Sequence, residues 1–241
     1  MLTTTGVRAT IVDLTTSTSG DINGGIFTTD FTQPAGSGVI DPFLTIQNTG
    51  LEQGYNGTDS NFDTKRVPQY THEIQLGDLN VQTVNGQQYY SFLIDTNQQN
   101  NNPNSLISLD MVKIFTSSSL QSNTSTDTNG LFNGSLGTLR YSFSSGSYVK
   151  YNDANSGSGQ ADIAFLVPVS DFAGSKSTDY VYMYQQFGTE YSANGGYEET
   201  TIGSGEKLTP IPEVSALLPL GGVLLVAGGM QYARRRRDVT A

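Results

Sequence analysis

One histidine and no cysteine narrow the chemistry open to this chain of 241 residues. Without thiols there are no disulfides, no thiolate zinc sites and no cysteine nucleophile. A serine hydrolase would have to use His72 as its base. That residue lies in Thr71-His72-Glu73-Ile74, on an apparent strand with alternating neighbours, which suits a sheet-face side chain better than a triad base. A glycosidase needs only two carboxylates. Acids are plentiful, but no pair stands out, and the chain has no Trp to build a sugar platform. The residues single out no catalytic group, and the chain reads as a non-enzyme.

Oxygen donors for a hard cation recur in the polar stretches. Asn56, Asp59, Asn61 and Asp63 form one group, Asp95, Asn97 and Asn104 a second, and Asn152, Asp153 and Asp162 a third. Calcium takes about 6–8 such oxygens, so Asp59, Asp63, Asp95 and Asp153 are the carboxylates it would use. It is the one cofactor these loops suggest. No segment follows the EF-hand or nonapeptide calcium spacing, and Asp and Asn also serve turns through bonds to their own backbone. Asn56-Gly57-Thr58, Asn123-Thr124-Ser125 and Asn133-Gly134-Ser135 fit the glycosylation sequon, a short match expected by chance in an Asn-rich chain.

Strands must position these groups. Only 14% of residues are charged, yet 13 Tyr and 11 Phe are spread along the chain, which a disordered chain would lack. Period-2 alternation marks 72–76 and 80–84, and Asn85-Gly86 predicts a tight hairpin into 88–94. Further strands are expected at 8–14, 24–31, 41–47, 111–115, 137–143, 148–151, 161–167 and 180–187. About ten short strands, Gly/Asn/Ser turns and no convincing helix predict an all-β, antiparallel β-sandwich or jelly-roll-like domain over 1–202. The polar tracts 97–104 and 117–129 read as surface loops, and 203–212 as a linker.

The composition changes at 213. Residues 214–233 carry no charge and end at Arg234, Arg235, Arg236 and Arg237, four residues before the terminus. As a helix, 213–233 would span about 31 Å at 1.5 Å per residue, close to a bilayer hydrocarbon core. The positive-inside rule puts the arginines in the cytoplasm. The rest of the chain carries eight basic and 22 acidic residues, and this acidic body would lie across the membrane. Its charge argues against nucleic-acid binding.

Ile211-Pro212-Glu213-Val214-Ser215, the Leu/Gly-rich apolar span and the terminal arginine run resemble the PEP-CTERM sorting signal. Pro212 and Glu213 match the first two motif positions, and Val214 departs from the usual second proline. The resemblance, over about 210–238, implies an exported bacterial protein held by a single C-terminal transmembrane helix and processed near Pro212-Glu213 by an exosortase-type enzyme. Such proteins commonly belong to Gram-negative makers of extracellular polysaccharide. They normally begin with a secretory signal peptide, whereas Met1-Leu2-Thr3-Thr4-Thr5-Gly6 is not one, so either an upstream start or a trimmed sequence is expected. Phrases such as Ser105-Leu106-Ile107-Ser108-Leu109-Asp110 are similar to uncharacterised exported proteins with this signal and imply no activity.

The expectation is therefore a surface or extracellular-matrix protein of structural or interaction type, with a sorting signal over 213–238. The alternative is a carbohydrate-binding module associated with exopolysaccharide, for which tyrosines should be exposed on one sheet face. A polysaccharide hydrolase would need a cleft holding two acids.

Overall fold

Alternating β-branched and aromatic residues build strands through most of the chain. The computed structural model describes residues 9–33, 40–60, 62–98, 105–143, 146–155, 159–203 and 207–208. In chain order the strands begin with β1 (Ile11–Asp13), β2 (Ser19–Ile22), β3 (Gly25–Thr28), β4 (Phe31–Thr32), β5 (Pro42–Ile46) and β6 (Thr49–Gly50). Next come β7 (Glu52–Tyr55), β8 (Ile74–Gln75), β9 (Val81–Val84), β10 (Gln87–Thr96), β11 (Leu106–Ser117) and β12 (Thr138–Phe143). The last are β13 (Tyr148–Asn152), β14 (Ile163–Pro168), β15 (Tyr180–Phe187), β16 (Ala193–Asn194), β17 (Glu198–Ile202) and β18 (Lys207–Leu208). Two short 3-10 turns, Leu76–Asp78 and Val169–Phe172, are the helical pieces among the described residues.

β16 with β6 and β18 with β4 form two small two-stranded sheets, and the other fourteen strands form two seven-stranded ones. The first runs β1-β13-β11-β15-β7, with β12 beside β11 and β8 beside β15. The second runs β2-β3-β14-β10-β17-β5, with β9 beside β10. All pairs are antiparallel except β1 with β13. The sheets share one apolar core, to which Val112, Ile114, Phe143, Val149 and Met183 come from the first and Phe27, Phe43, Phe92, Ile94 and Phe165 from the second. Phe27 stacks on Phe165 at 4.5 Å and meets Phe143 of the opposite sheet edge-on at 5.7 Å. Such aromatic pairs add to the burial that holds a sandwich together.

The all-β antiparallel expectation holds. The Asn85-Gly86 hairpin forms with φ of 52° and 81°, as its tight turn requires. Three expectations are corrected. His72 precedes β8 and lies outside any strand. Its backbone N–H donates to Phe43 O, and its Nδ1 is buried without a partner. Strands β7 and β17 appear where none was expected, because Glu52, Gln53, Glu198 and Glu199 are polar yet buried. Finally, β18 pairs with β4 inside the stretch read as linker.

The chain divides into two units, Met1–Thr209 and Pro210–Ala241. The expected signal (Pro212, Glu213, the apolar span and the four arginines) lies outside the described residues. Among those described, no helix is long and apolar enough to cross a membrane.

Gly25 sets how closely the sheets approach. A Cβ there would overlap the Tyr141 hydroxyl and ring, which reach across from β12 so that the hydroxyl donates to Ile22 O at 2.7 Å. Gly25→Ala is expected to cost about 1–3 kcal/mol, seen as a lower urea midpoint with unchanged slope. A wild-type midpoint would mean that the Tyr141 contact contributes nothing.

Candidate functional site

The tyrosine row on β15 suggests an aromatic binding face, but that face is covered. Tyr182 and Tyr184 project from the first sheet away from the central core and pack with Tyr55, Phe115, Phe132 and Leu136 in a second cluster. The segment between β11 and β12 roofs this cluster. Tyr182 Oη accepts from Gln121 N at 2.8 Å, and Tyr55 Oη accepts from Asn123 N at 3.1 Å. Tyr184 Oη donates to Gln53 Oε1 at 2.7 Å. Beneath the roof, Lys113 gives its Nζ to Phe132 O at 3.0 Å. The expected surface loop thus closes over the tyrosines, and a flat Tyr platform is absent from this face.

Beyond the roof the same face holds a pocket of about 260 Å³ lined by Asp110, Met111, Leu131, Gly146, Ser147, Tyr148, Gln186, Thr189 and Glu190. Its geometry originates in a β-bulge. Leu109 pairs with Phe187 and Met111 with Gln186, leaving Asp110 as the extra residue on β11. A bulge re-aims a side chain, and here Asp110 joins Ser108, whose hydroxyl donates to Asp110 Oδ2 at 2.9 Å. The chain leaving β15 wraps over this pair. Thr189 N donates to Asp110 Oδ2 at 2.8 Å, Glu190 N to Asp110 Oδ1 at 3.3 Å, and Tyr191 N to Ser108 Oγ at 2.9 Å. Burial nevertheless pushes the Asp110 carboxyl up to about 6, opposed by these donors.

Gln186 forms the floor. It is only 3% exposed, donates Nε2 to Thr189 Oγ1 at 2.7 Å, and leaves Oε1 buried without a partner. Tyr148 is half-buried and Glu190 is exposed. Two acids therefore meet in one concavity, Asp110 and Glu190. Both Asp110 oxygens already accept bonds from the 189–190 backbone, so this carboxyl clamps a loop and offers no free oxygen to a substrate. Spacing in the sequence had not marked Asp110. The signal was the broken alternation of Leu109-Asp110-Met111-Val112, with two apolar residues in succession.

The four calcium candidates separate into two places. Asp59 is exposed in the turn after β7. Asp63 accepts from Asn48 Nδ2 and Gln53 N, both at 2.9 Å, which occupies both oxygens. Asp95 and Asp153 lie in the end of the sandwich that also holds Asp162. Asp95 accepts from Gly159 N at 2.8 Å and Asp153 from Gln98 N at 2.6 Å, and each keeps a buried Oδ1 without a partner. Burial pushes Asp95 up to about 7, and Asp162 up to about 8 against three backbone N–H donors. Among the described residues no group of three or more His, Asp or Glu could hold a metal ion. These aspartates tie loop backbone to the sheets. Asn56, first of the sequons, is fully buried and closed to glycosylation.

Fold and site together define an all-β sandwich of two mainly antiparallel sheets with a small pocket bearing two acids on an outer face. Comparison with known proteins finds no matching family model, no matching curated protein and no matching solved structure.

Proposed function

We propose that this chain is an exported bacterial surface or matrix protein that acts by interaction, with a β-sandwich delivered by a C-terminal sorting signal. The observation that carries the proposal is the uncharged stretch 214–233, of bilayer length, followed at once by Arg234, Arg235, Arg236 and Arg237. In this reading 214–233 is the transmembrane helix, the arginines stay cytoplasmic, and an exosortase-type enzyme processes the chain near Pro212-Glu213. The low charge and acidic excess of the body suit a folded domain outside the cell. Deleting the four arginines is expected to shift the protein out of its normal surface fraction on cell fractionation. Unchanged surface delivery would leave 214–233 as a passive anchor and remove the sorting role.

The Asp110 pocket favours a second, compatible reading, in which the sandwich binds carbohydrate. A small concavity with one half-buried aromatic ring and an exposed carboxylate suits a hydroxyl-rich ligand. Binding rather than hydrolysis is proposed because the Asp110 oxygens are held by backbone donors.

A further inference from the structure

Six Asn-Gly pairs occur in the chain, at Asn23, Asn56, Asn85, Asn129, Asn133 and Asn194. Asn before Gly is chemically labile, because the glycine has no side chain to shield its backbone nitrogen from close approach. That nitrogen can attack the Asn side-chain carbon when neither group is held by a hydrogen bond. The fold restrains five of the pairs. Asn56 is fully buried with both ends of its amide bonded. Asn23 gives its Nδ2 to Ser142 O at 2.9 Å. Asn85 is fixed in the turn between β9 and β10, where the ladder holds both sides. Asn129 is followed by Gly130, whose N–H is engaged with Asp127 O at 3.1 Å. Asn194 is half-buried in β16 and paired with Thr49 of β6.

Asn133 has none of these restraints. It is exposed, in irregular chain within the roof of the tyrosine cluster. Its backbone N–H donates to Ser125 O at 3.1 Å, and among the described residues no hydrogen bond reaches its side chain or the Gly134 N–H. The Gly134 nitrogen can therefore lose its proton to hydroxide and bond to Asn133 Cγ, while the side-chain nitrogen leaves as ammonia. Water then opens the cyclic imide at either carbonyl. One product is aspartate. The other is isoaspartate, in which the side-chain carbons have become main chain, so the backbone is one methylene longer.

We propose that Asn133-Gly134 is a site of spontaneous deamidation whose isoaspartate product loosens the roof over the tyrosine cluster. Gly134 lies against the Asn123 side chain, with no room for a Cβ. Asn123 Nδ2 donates to Ser135 O at 3.1 Å, and its backbone N–H donates to Tyr55 Oη. A methylene added between residues 133 and 134 displaces Gly134 and Ser135 from this contact. Phe132, packed into the cluster just before them, does not follow. Asn123 then loses its hold on Ser135, and the cover over Tyr55 loosens.

Peptide mapping of the detergent-solubilised full chain, aged in mildly alkaline buffer, tests this. Acid is expected to replace amide at Asn133 at least about tenfold faster than at the other five pairs, a barrier lower by about 1.4 kcal/mol. Isoaspartate should be the main product. The second-derivative tyrosine absorbance of the aged protein should shift toward that of solvent-exposed tyrosine. Asn133→Gln changes an exposed position, and its longer side chain closes the ring far more slowly. This variant should keep both its amide and the unaged spectrum. An intact Asn133, or faster conversion at another Asn-Gly pair, overturns the site. An unshifted spectrum in wild type rich in isoaspartate at 133, or an equal shift in aged Asn133→Gln, overturns the loosening of the roof.

Discussion

Asn56→Ala is expected to lower the stability of the sandwich by about 2–6 kcal/mol, because it strands two buried backbone groups at about 1–3 kcal/mol each, besides the part-buried His72 O. On one edge of β15, β7 pairs with residues 184–187 and β8 with 180–181. Between them the edge has no partner strand, and the Asn56 side chain fills the gap. Its Oδ1 accepts from Met183 N at 2.6 Å, and its Nδ2 donates to Val181 O at 2.9 Å and to His72 O at 3.3 Å. The residue is fully buried, so water does not replace these bonds. Asn56→Asp should be at least as damaging, since it sets a carboxylate against two carbonyls. The loss compares with the whole stability of a typical domain, about 5–15 kcal/mol. Tyrosine fluorescence in urea reads it directly in this Trp-free chain. A midpoint within error of wild type for Asn56→Ala would show that the ladder does not need its plug.

Rising pH should destabilise the wild-type protein, and Glu198→Gln should remove a defined part of that loss. Glu52 on β7 and Glu198 on β17 come from opposite sheets and hydrogen-bond each other inside the protein. Glu52 also accepts from Asn48 N at 2.7 Å and Glu198 from Gln98 Nε2 at 2.8 Å. Among the described residues neither has an ion-pair partner, and the Asp63 charge opposes ionisation of Glu52. Burial raises both pKa values, Glu198 the more, so Glu198 keeps its proton and donates it to Glu52.

A raised folded-state pKa means that the native chain binds the proton more tightly than the unfolded chain. The stabilisation is complete below the ordinary glutamate value and is lost as pH rises toward the folded one. The loss is about 1.4 kcal/mol for each pH unit over which only the native state holds the proton. Asp95, Asp110 and Asp162, raised to about 7, about 6 and about 8, act in the same direction. The wild-type slope is therefore a composite. Glu198→Gln replaces the protonated acid with an amide that can donate to Glu52 and accept from Gln98, without titrating. Melting temperatures from about pH 5 to pH 9 should be similar for the two proteins at the acid end and higher for the variant at the alkaline end. Parallel curves across the range would mean that the pair holds no shared proton.

Much of the scaffold is legible because its physics is local. Alternation in 80–84 and 88–94, with Asn-Gly between, carries its own period and its own positive φ angles, so the β9–β10 hairpin follows from neighbours along the chain. The same holds for Tyr180–Phe187, whose tyrosines take one face and whose Val181, Met183 and Phe187 take the other. Strands β7 and β17 were hidden because acids and amides occupy buried positions, and only partners distant in sequence make that tolerable: Glu198 needs Glu52, and Gln53 needs Tyr184 and Phe132. Abundant tyrosine was legible as a count but not as a surface, since exposure depended on whether residues 118–137 lay across it.

The sequence alone determines an all-β chain with an acidic body free of thiol chemistry, and an uncharged segment of bilayer length closed by four arginines. These follow from composition, period and order along the chain. Tertiary structure alone decided which polar residues are structural and which face a cavity. Asn56 and the buried aspartates serve backbone groups, while a one-residue bulge turns Asp110 toward the Gln186 floor. Such assignments depend on pairing between residues tens of positions apart, where a shift of one residue exchanges the two faces of a strand.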